Sequence, residues 1–332
     1  MEIMKWLKEK FNDLRNKNNP DYWVDKVHDN QEKTIKYYNK ALNIFQKNSE
    51  GNSEKIAEIH VKKGEIHLEN KTHGDAITSF NKALEIYKDN PDKFRDCHYT
   101  DKFRDCHFNI GLACSNSFQY PEAVKSFDKA LENCTDDGFS AKINLEIGRV
   151  YLRQKLELED DFKKNSDFYD SFEGNKTKLE DDYKLKRTIF NKKIIESFQK
   201  ILNNENNSIN PQTLLEINYA TAEACHENDK KALAKKYYEK SLEILDLPEN
   251  SSLYDNKTRS YIAKKLLTLN QVLEAERVNE SSRSRPQPPA PVLTQPQPPP
   301  PAPPPAPAQP QTHPIIVAIT SFFDLCSCSQ KR

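Results

Sequence analysis

The 332-residue chain is 36% hydrophobic and 30% charged, too polar for one large globular core but suited to a thin array in which helices stack in two layers. Fifty basic and fifty acidic residues cancel, so no overall field draws nucleic acid or anionic lipid, and recognition by charge must come from local patches. The seven cysteines form no secretory framework, MEIMKWLKEKF lacks the features of a signal peptide, and no apolar run reaches the ~18 residues of a membrane span; the chain reads as cytoplasmic.

Ile3, Met4, Leu7, Phe11 and Leu14 recur at helical spacing among lysines, which predicts an amphipathic helix over residues 2–16. It either caps the apolar face of the neighbouring helices or, with Trp6 and Phe11 beside basic residues, attaches to an acidic membrane or a partner helix. Asn19-Pro20-Asp21 then breaks the chain. A short helix near 22–30 and a longer one over 31–46 come next, and helices over 57–68 and 76–87 flank a turn at Thr72-His73-Gly74-Asp75.

The segment DKFRDCHYT at 92–100 is repeated at once as DKFRDCHFN at 101–109. Nine residues at about 100° each turn a helix through about 900°, so the copies lie on opposite faces. Phe103 and His107 hold the register of the other helices, and the copy with Phe94 and Cys97 should extend the helix as a poorly buried overhang. A helix over 141–153 and another over 188–203 enclose a charged insertion, 156–186, which is expected to protrude as a mobile loop with helical extensions at its ends. Helices over 211–227 and 230–245 come next, closed by Leu247-Pro248, and residues 251–279 read as a final solvating helix.

Fifteen of the twenty prolines lie between Pro286 and Pro314, a polyproline II spacer or ligand. Arg285, Pro288 and Pro291 fit the R-x-x-P-x-x-P spacing that suits a domain reading Pro-rich motifs, since three residues per turn put both prolines on one face. The end of the sequence is apolar over 315–323, with Cys326 and Cys328 as candidate lipidation sites beside a basic Lys331-Arg332.

One pattern recurs through the middle of the chain. A small residue is followed four positions on by an aromatic and three beyond that by a second small residue: Ala76, Phe80 and Ala83; Ala123, Phe127 and Ala130; Ala234, Tyr238 and Ser241; Thr34, Tyr38 and Ala41. Gly64, Gly111 and Ala222 lie twelve residues ahead of Ala76, Ala123 and Ala234. Small side chains let two antiparallel helices approach, and the aromatic should fill the space against the next hairpin. Over about 21–250 the sequence resembles the tetratricopeptide repeat. That implies an all-α solenoid of about five helical hairpins, capped by the final helix and followed by a disordered Pro-rich tail. Units about forty residues apart look closer to long-repeat scaffolds, such as kinesin light chains, than to the chaperone-clamp type. For the clamp, Asn109 and Lys142 match, but Val61, Glu65 and Glu146 stand where cations or amides are required.

The resemblance further implies that the first helix of each hairpin lines a concave groove that holds an extended peptide or a helix. The helix face opposite the seam gives Phe108, Asn109 and Leu112, then Lys142, Leu145, Arg149 and Arg153, then Tyr219 and Glu223. This predicts a groove that is basic at mid-array and acidic at both ends, suited to a protein partner with an acidic centre. Three Cys-His dipeptides (97–98, 106–107, 225–226) have poor metal geometry, because helix neighbours point about 100° apart. No phosphate loop, G-x-S-x-G or H-E-x-x-H is present, so the expectation is a non-catalytic adaptor without metal or cofactor. The alternative is a peripheral membrane tether acting through the N-terminal helix and the tail.

Overall fold

Asparagine followed by proline starts two of the helices in the computed structural model. The Asn19 side chain accepts hydrogen bonds from the Asp21 and Tyr22 amides at 3.1 and 3.4 Å, and Asn210 accepts from Thr213 at 2.8 Å, with Pro20 and Pro211 at the first helical position. Asn19, in an extended conformation, breaks the chain after the turn at 16–18, and Pro20 starts a helix. The structure describes residues 12–13, 16–26, 30–47, 52–89, 97–132, 134–169, 173–204, 209–250 and 256–283. Among them the secondary structure is helical throughout: α1 (Pro20–Asp25), α2 (Gln31–Lys47), α3 (Ser53–Glu69), α4 (His73–Lys88), α5 (Cys97–Asn116), α6 (Tyr120–Glu132), α7 (Asp137–Tyr169), α8 (Glu173–Leu202), α9 (Pro211–Glu227), α10 (Lys231–Asp246), a 3-10 turn (Pro248–Asn250) and α11 (Asn256–Arg283).

Two units divide the chain, residues 1–266 and 267–332. In the first, α1–α2, α3–α4, α5–α6, α7–α8 and α9–α10 form five antiparallel hairpins, each packed on the next. In the second, the described residues continue α11 to Arg283 as a largely exposed helix.

The seam of each hairpin explains the sequence pattern. A Cβ placed on Gly64 would lie 2.7 Å from the Phe80 ring, and one on Gly111 would lie 2.5 Å from that of Phe127. Gly148 stands closer still to Phe198. Ala222 and Tyr238, both fully buried, hold the same places in the last hairpin. The aromatic therefore lies over the small residue of its own hairpin. At Gly64, Gly111 and Gly148 the ring lies closer than a Cβ would allow without a shift.

Three hairpins turn in the same way. Lys71, Phe118 and Asp229 have φ of 59°, 62° and 56°. The next amides, at Thr72, Gln119 and Lys230, bond back five residues to the carbonyls of His67, Cys114 and Cys225 at 2.9, 2.9 and 2.8 Å. This left-handed C-cap closes the first helix and fixes the entry of the second. It also puts the second turn at 70–72, because α4 already starts at His73.

The fourth hairpin departs from this plan. The helical extensions expected at the ends of the insertion take up most of it: α7 runs on to Tyr169 and α8 begins at Glu173, so residues 156–169 and 173–186 are helix rather than loop. Phe162 stacks on Tyr183 at 4.1 Å and 20°, and Arg187 lies 5.4 Å from the Tyr183 ring, which holds the extension together. The duplicated copy at 92–100 enters α5 only from Cys97 onward, and Phe94 lies outside the described residues. Phe103 and His107 keep their expected register, in edge contact at 4.6 Å. The helix expected over 2–16, apart from Asn12, Asp13 and Asn16, also lies outside them, as do Arg285, Pro288, Pro291, Cys326 and Cys328.

Candidate partner-binding face of the first helices

The first helices of successive hairpins touch: α3 meets α5, and α5 meets α7. Polar side chains bridge these contacts. Lys102 on α5 reaches Glu58 and Glu54 on α3 at 2.5 and 3.4 Å, and Arg153 on α7 donates to the Ser115 hydroxyl on α5 at 2.6 Å. Arg149 on α7 forks onto Glu216 on α9, with Nε and an Nη 2.9 and 2.7 Å from the two carboxylate oxygens, while its other Nη reaches Glu146 at 2.8 Å. Lys265 on α11 extends to Glu223 on α9 at 3.4 Å.

These links alter the electrostatics read from the sequence. Arg149 is 13% exposed and lies between two carboxylates, one of them, Glu216, only 5% exposed. Burial works against its charge, but the bond and charge of Glu216 and the charge of Glu146 outweigh this and raise its pKa. The cluster of Arg149, Glu146 and Glu216 carries one net negative charge when all three are ionised. The expected basic centre is thereby reduced, because Arg149 is engaged inside the array. A cation with one helix of the stack on each side is the natural partner for carboxylates that stacking would otherwise strand.

Tyr219 and Glu223 are also engaged. Tyr219 lies between the Tyr238 and Tyr261 rings at 6.4 and 6.5 Å, and burial pushes its phenol pKa up. Glu223 is buried and accepts a hydrogen bond from the Tyr238 hydroxyl. Both residues serve the docking of the start of α11 on the last hairpin. Phe108, a third expected groove residue, is buried, its ring 5.6 Å from Phe127 and 5.3 Å from Phe139.

Four expected residues remain on the surface of this face. Lys142 is exposed, with Nζ 4.8 Å from the Phe108 ring centre. Asn109, Leu112 and Leu145 are partly exposed. They lie on α5 and α7 between two rungs, Phe108–Lys142 at one end and Ser115–Arg153 at the other.

A polar cluster without a signature in the sequence fills the junction of α7, α8 and α9. Lys155 bonds Glu227 at 2.8 Å and lies 3.7 Å from Glu159, while the buried Asn191 amide donates to Glu227 and Asn228 at 2.9 and 3.2 Å. Burial would raise the Glu227 pKa, but Lys155 and Asn191 outweigh it and lower it. Cys106 and Cys225 are buried in apolar surroundings that push their thiols up to about 12 and about 11, so neither is a reactive thiolate. Among the described residues no three His, Cys, Asp or Glu side chains converge as a metal site, and no helix is long and apolar enough to cross a membrane.

Residues 57–90, most of α3 and α4, match the family model "Tetratricopeptide repeat". The third, fourth and fifth hairpins repeat the small residue and aromatic ring of that unit, while the first has Tyr22 in place of the small residue. Residues 57–90 carry one tetratricopeptide repeat. The match is to the repeat itself and distinguishes no subtype. No curated protein sequence matches the chain. Similar solved structures include the MamA protein (16% identity, covering 71% of this chain and 95% of that one, TM-score 0.44). The apo form of RapI is another (14%, 81% and 82%, TM-score 0.41). A third is a Rap protein complexed with competence and sporulation factor (16%, 80% and 74%, TM-score 0.31). These likenesses are too distant to bear on what the tetratricopeptide array of this chain binds.

Proposed function

We propose that the protein is a non-catalytic interaction scaffold that holds a peptide or helix of a protein partner on the first helices of its repeats. The observation that carries this reading is the stretch between the two α5–α7 rungs. Leu112 and Leu145 offer apolar surface there, Asn109 offers an amide that can pair with a peptide backbone, and Lys142 offers a cation. The ligand is a segment with apolar side chains and an acidic residue near its centre to meet Lys142. It is less acidic than the sequence suggested, since Arg149 is already neutralised within the array.

Affinity capture with the full chain tests this. A Leu112→Ser/Lys142→Glu/Leu145→Ser variant with unchanged circular dichroism and melting temperature should lose the proteins that the parent retains. Retention of the same proteins at the same yield would remove this face from consideration.

A further inference from the structure

Three aromatic rings and a carboxylate converge on one ammonium in the first hairpin. Tyr22 and Trp23 on α1 meet edge to face, with ring centres 5.0 Å apart at 75°, and Tyr37 on α2 stacks on Trp23 at 5.6 Å and 29°. The Lys26 Nζ stands 5.6, 5.7 and 5.1 Å from the centres of Tyr22, Trp23 and Tyr37. Asp13 accepts a hydrogen bond from the same nitrogen at 2.5 Å and another from the Tyr22 hydroxyl at 3.0 Å. Burial would raise the Asp13 pKa, but these two bonds and the Lys26 charge outweigh it and lower it, so the carboxylate is ionised at neutral pH. Rings that attract a cation to their faces and an acid that accepts its N–H are the groups that hold an organic ammonium out of water.

The spacing is wider than Lys26 itself requires. Lys40 supplies the comparison on the same Trp23 ring, with its Nζ 4.1 Å from the centre. Lys26 stands farther from all three rings, by about the length of one C–N bond, ~1.5 Å. A methyl group on the nitrogen spans that distance. A trimethylated nitrogen gives up the hydrogen bond to Asp13, whereas a dimethylated one keeps one N–H for it. Lys26 is also placed so that it can withdraw. It is the C-cap of the six-residue α1, with φ of −81° and ψ of 51°, so its side chain can turn away without unwinding that helix.

We propose that Tyr22, Trp23, Tyr37 and Asp13 form a cage for a dimethylated lysine side chain of a protein partner, with Lys26 as its internal occupant. Lys26 then sets the affinity, because the partner's side chain must displace it and the cage is available only for the fraction of time that Lys26 is out. The cage is separate from the surface around Leu112, Lys142 and Leu145, and neither reading needs the other.

The test uses the full chain carrying Trp6→Phe, which leaves Trp23 as the sole tryptophan, and reads its fluorescence. The probes are three short synthetic peptides of one sequence whose single lysine is unmodified, dimethylated or trimethylated. Lys26→Ala should bind the dimethyl-lysine peptide saturably, at least tenfold more tightly than the parent and at least threefold more tightly than it binds the other two. The parent, taken to millimolar peptide, should keep the same order of preference, so the result does not hang on one variant. Added to Lys26→Ala, Tyr37→Ala should abolish binding with circular dichroism unchanged, and Asp13→Asn should remove the preference for the dimethyl over the trimethyl form. Absence of saturable binding in both parent and Lys26→Ala, equal binding of the three peptides, or equal affinity of parent and Lys26→Ala overturns the proposal. So does a preference for the trimethyl peptide, since Asp13 then has no part in recognition.

Discussion

Arg149 on α7 and Glu216 on α9 are joined by two parallel hydrogen bonds of 2.9 and 2.7 Å, with Glu146 on the remaining guanidinium nitrogen. The pair links two successive repeats at a place where neither side chain has much access to water. Removing the cation alone should be far worse than removing the pair, because it strands two carboxylates. Arg149→Met is expected to cost about 3 kcal/mol, and Arg149→Met/Glu216→Met less than the single change. Urea unfolding of the two variants measures the difference, and simple additivity would contradict it.

His60 on α3 and His107 on α5 each precede a seam glycine by four residues, and both are buried. Burial lowers both pKa values to about 4, with Lys63 and Lys82 adding to the effect on His60, and Lys129 and Lys88 to that on His107. In the unfolded chain both imidazoles take up protons near pH 6.5, so unfolding consumes protons between there and pH 4. Their effect on stability is therefore absent above pH 6.5, grows into a loss as pH falls toward 4, and levels off below. About 3 kcal/mol for each histidine is the upper figure. Denaturation at pH 7 and pH 4.5 should show a smaller drop for His60→Gln/His107→Gln than for the parent.

Beyond the junction with α9, the Phe162–Tyr183 stack joins the extensions of α7 and α8, and the described surface there is largely charged. Phe162→Ala/Tyr183→Ala should leave the global unfolding midpoint within about 0.5 kcal/mol of the parent but speed amide exchange over 157–186. A large global loss would mean that the extension folds with the array rather than on top of it.

The repeat pattern is readable because packing constrains it twice, once at the small residue and once at the ring above it. Gly64 with Phe80 and Gly111 with Phe127 can be paired from spacing alone, and the helix bounds of the second and fifth hairpins come out to within a few residues. The groove is harder to read. Arg149 looks like a ligand-binding cation in sequence, and its partner Glu216 lies 67 residues away on another hairpin, beyond any local period. Tyr219 and Glu223 do lie on the expected helix, but the start of α11 covers that surface, and no spacing reveals a cap. The insertion reads as a loop because its charges suggest solvent; a two-helix extension joined by the Phe162–Tyr183 stack is equally polar.

The central claim is that the second to fifth hairpins each close on a small residue lying directly under an aromatic ring. Gly111→Ala measures it most directly, against Gly74→Ala on the exposed first turn of α4, where a new Cβ meets nothing within 4 Å. Alanine favours a helix over glycine by up to about 1 kcal/mol, so Gly74→Ala should stabilise. Gly111→Ala should instead lose about 1–2 kcal/mol as the Cβ drives the enclosed Phe127 ring from its place, and Phe127→Leu should recover part of that loss. If Gly111→Ala stabilises the protein as much as Gly74→Ala does, the seam is not what holds the hairpins together.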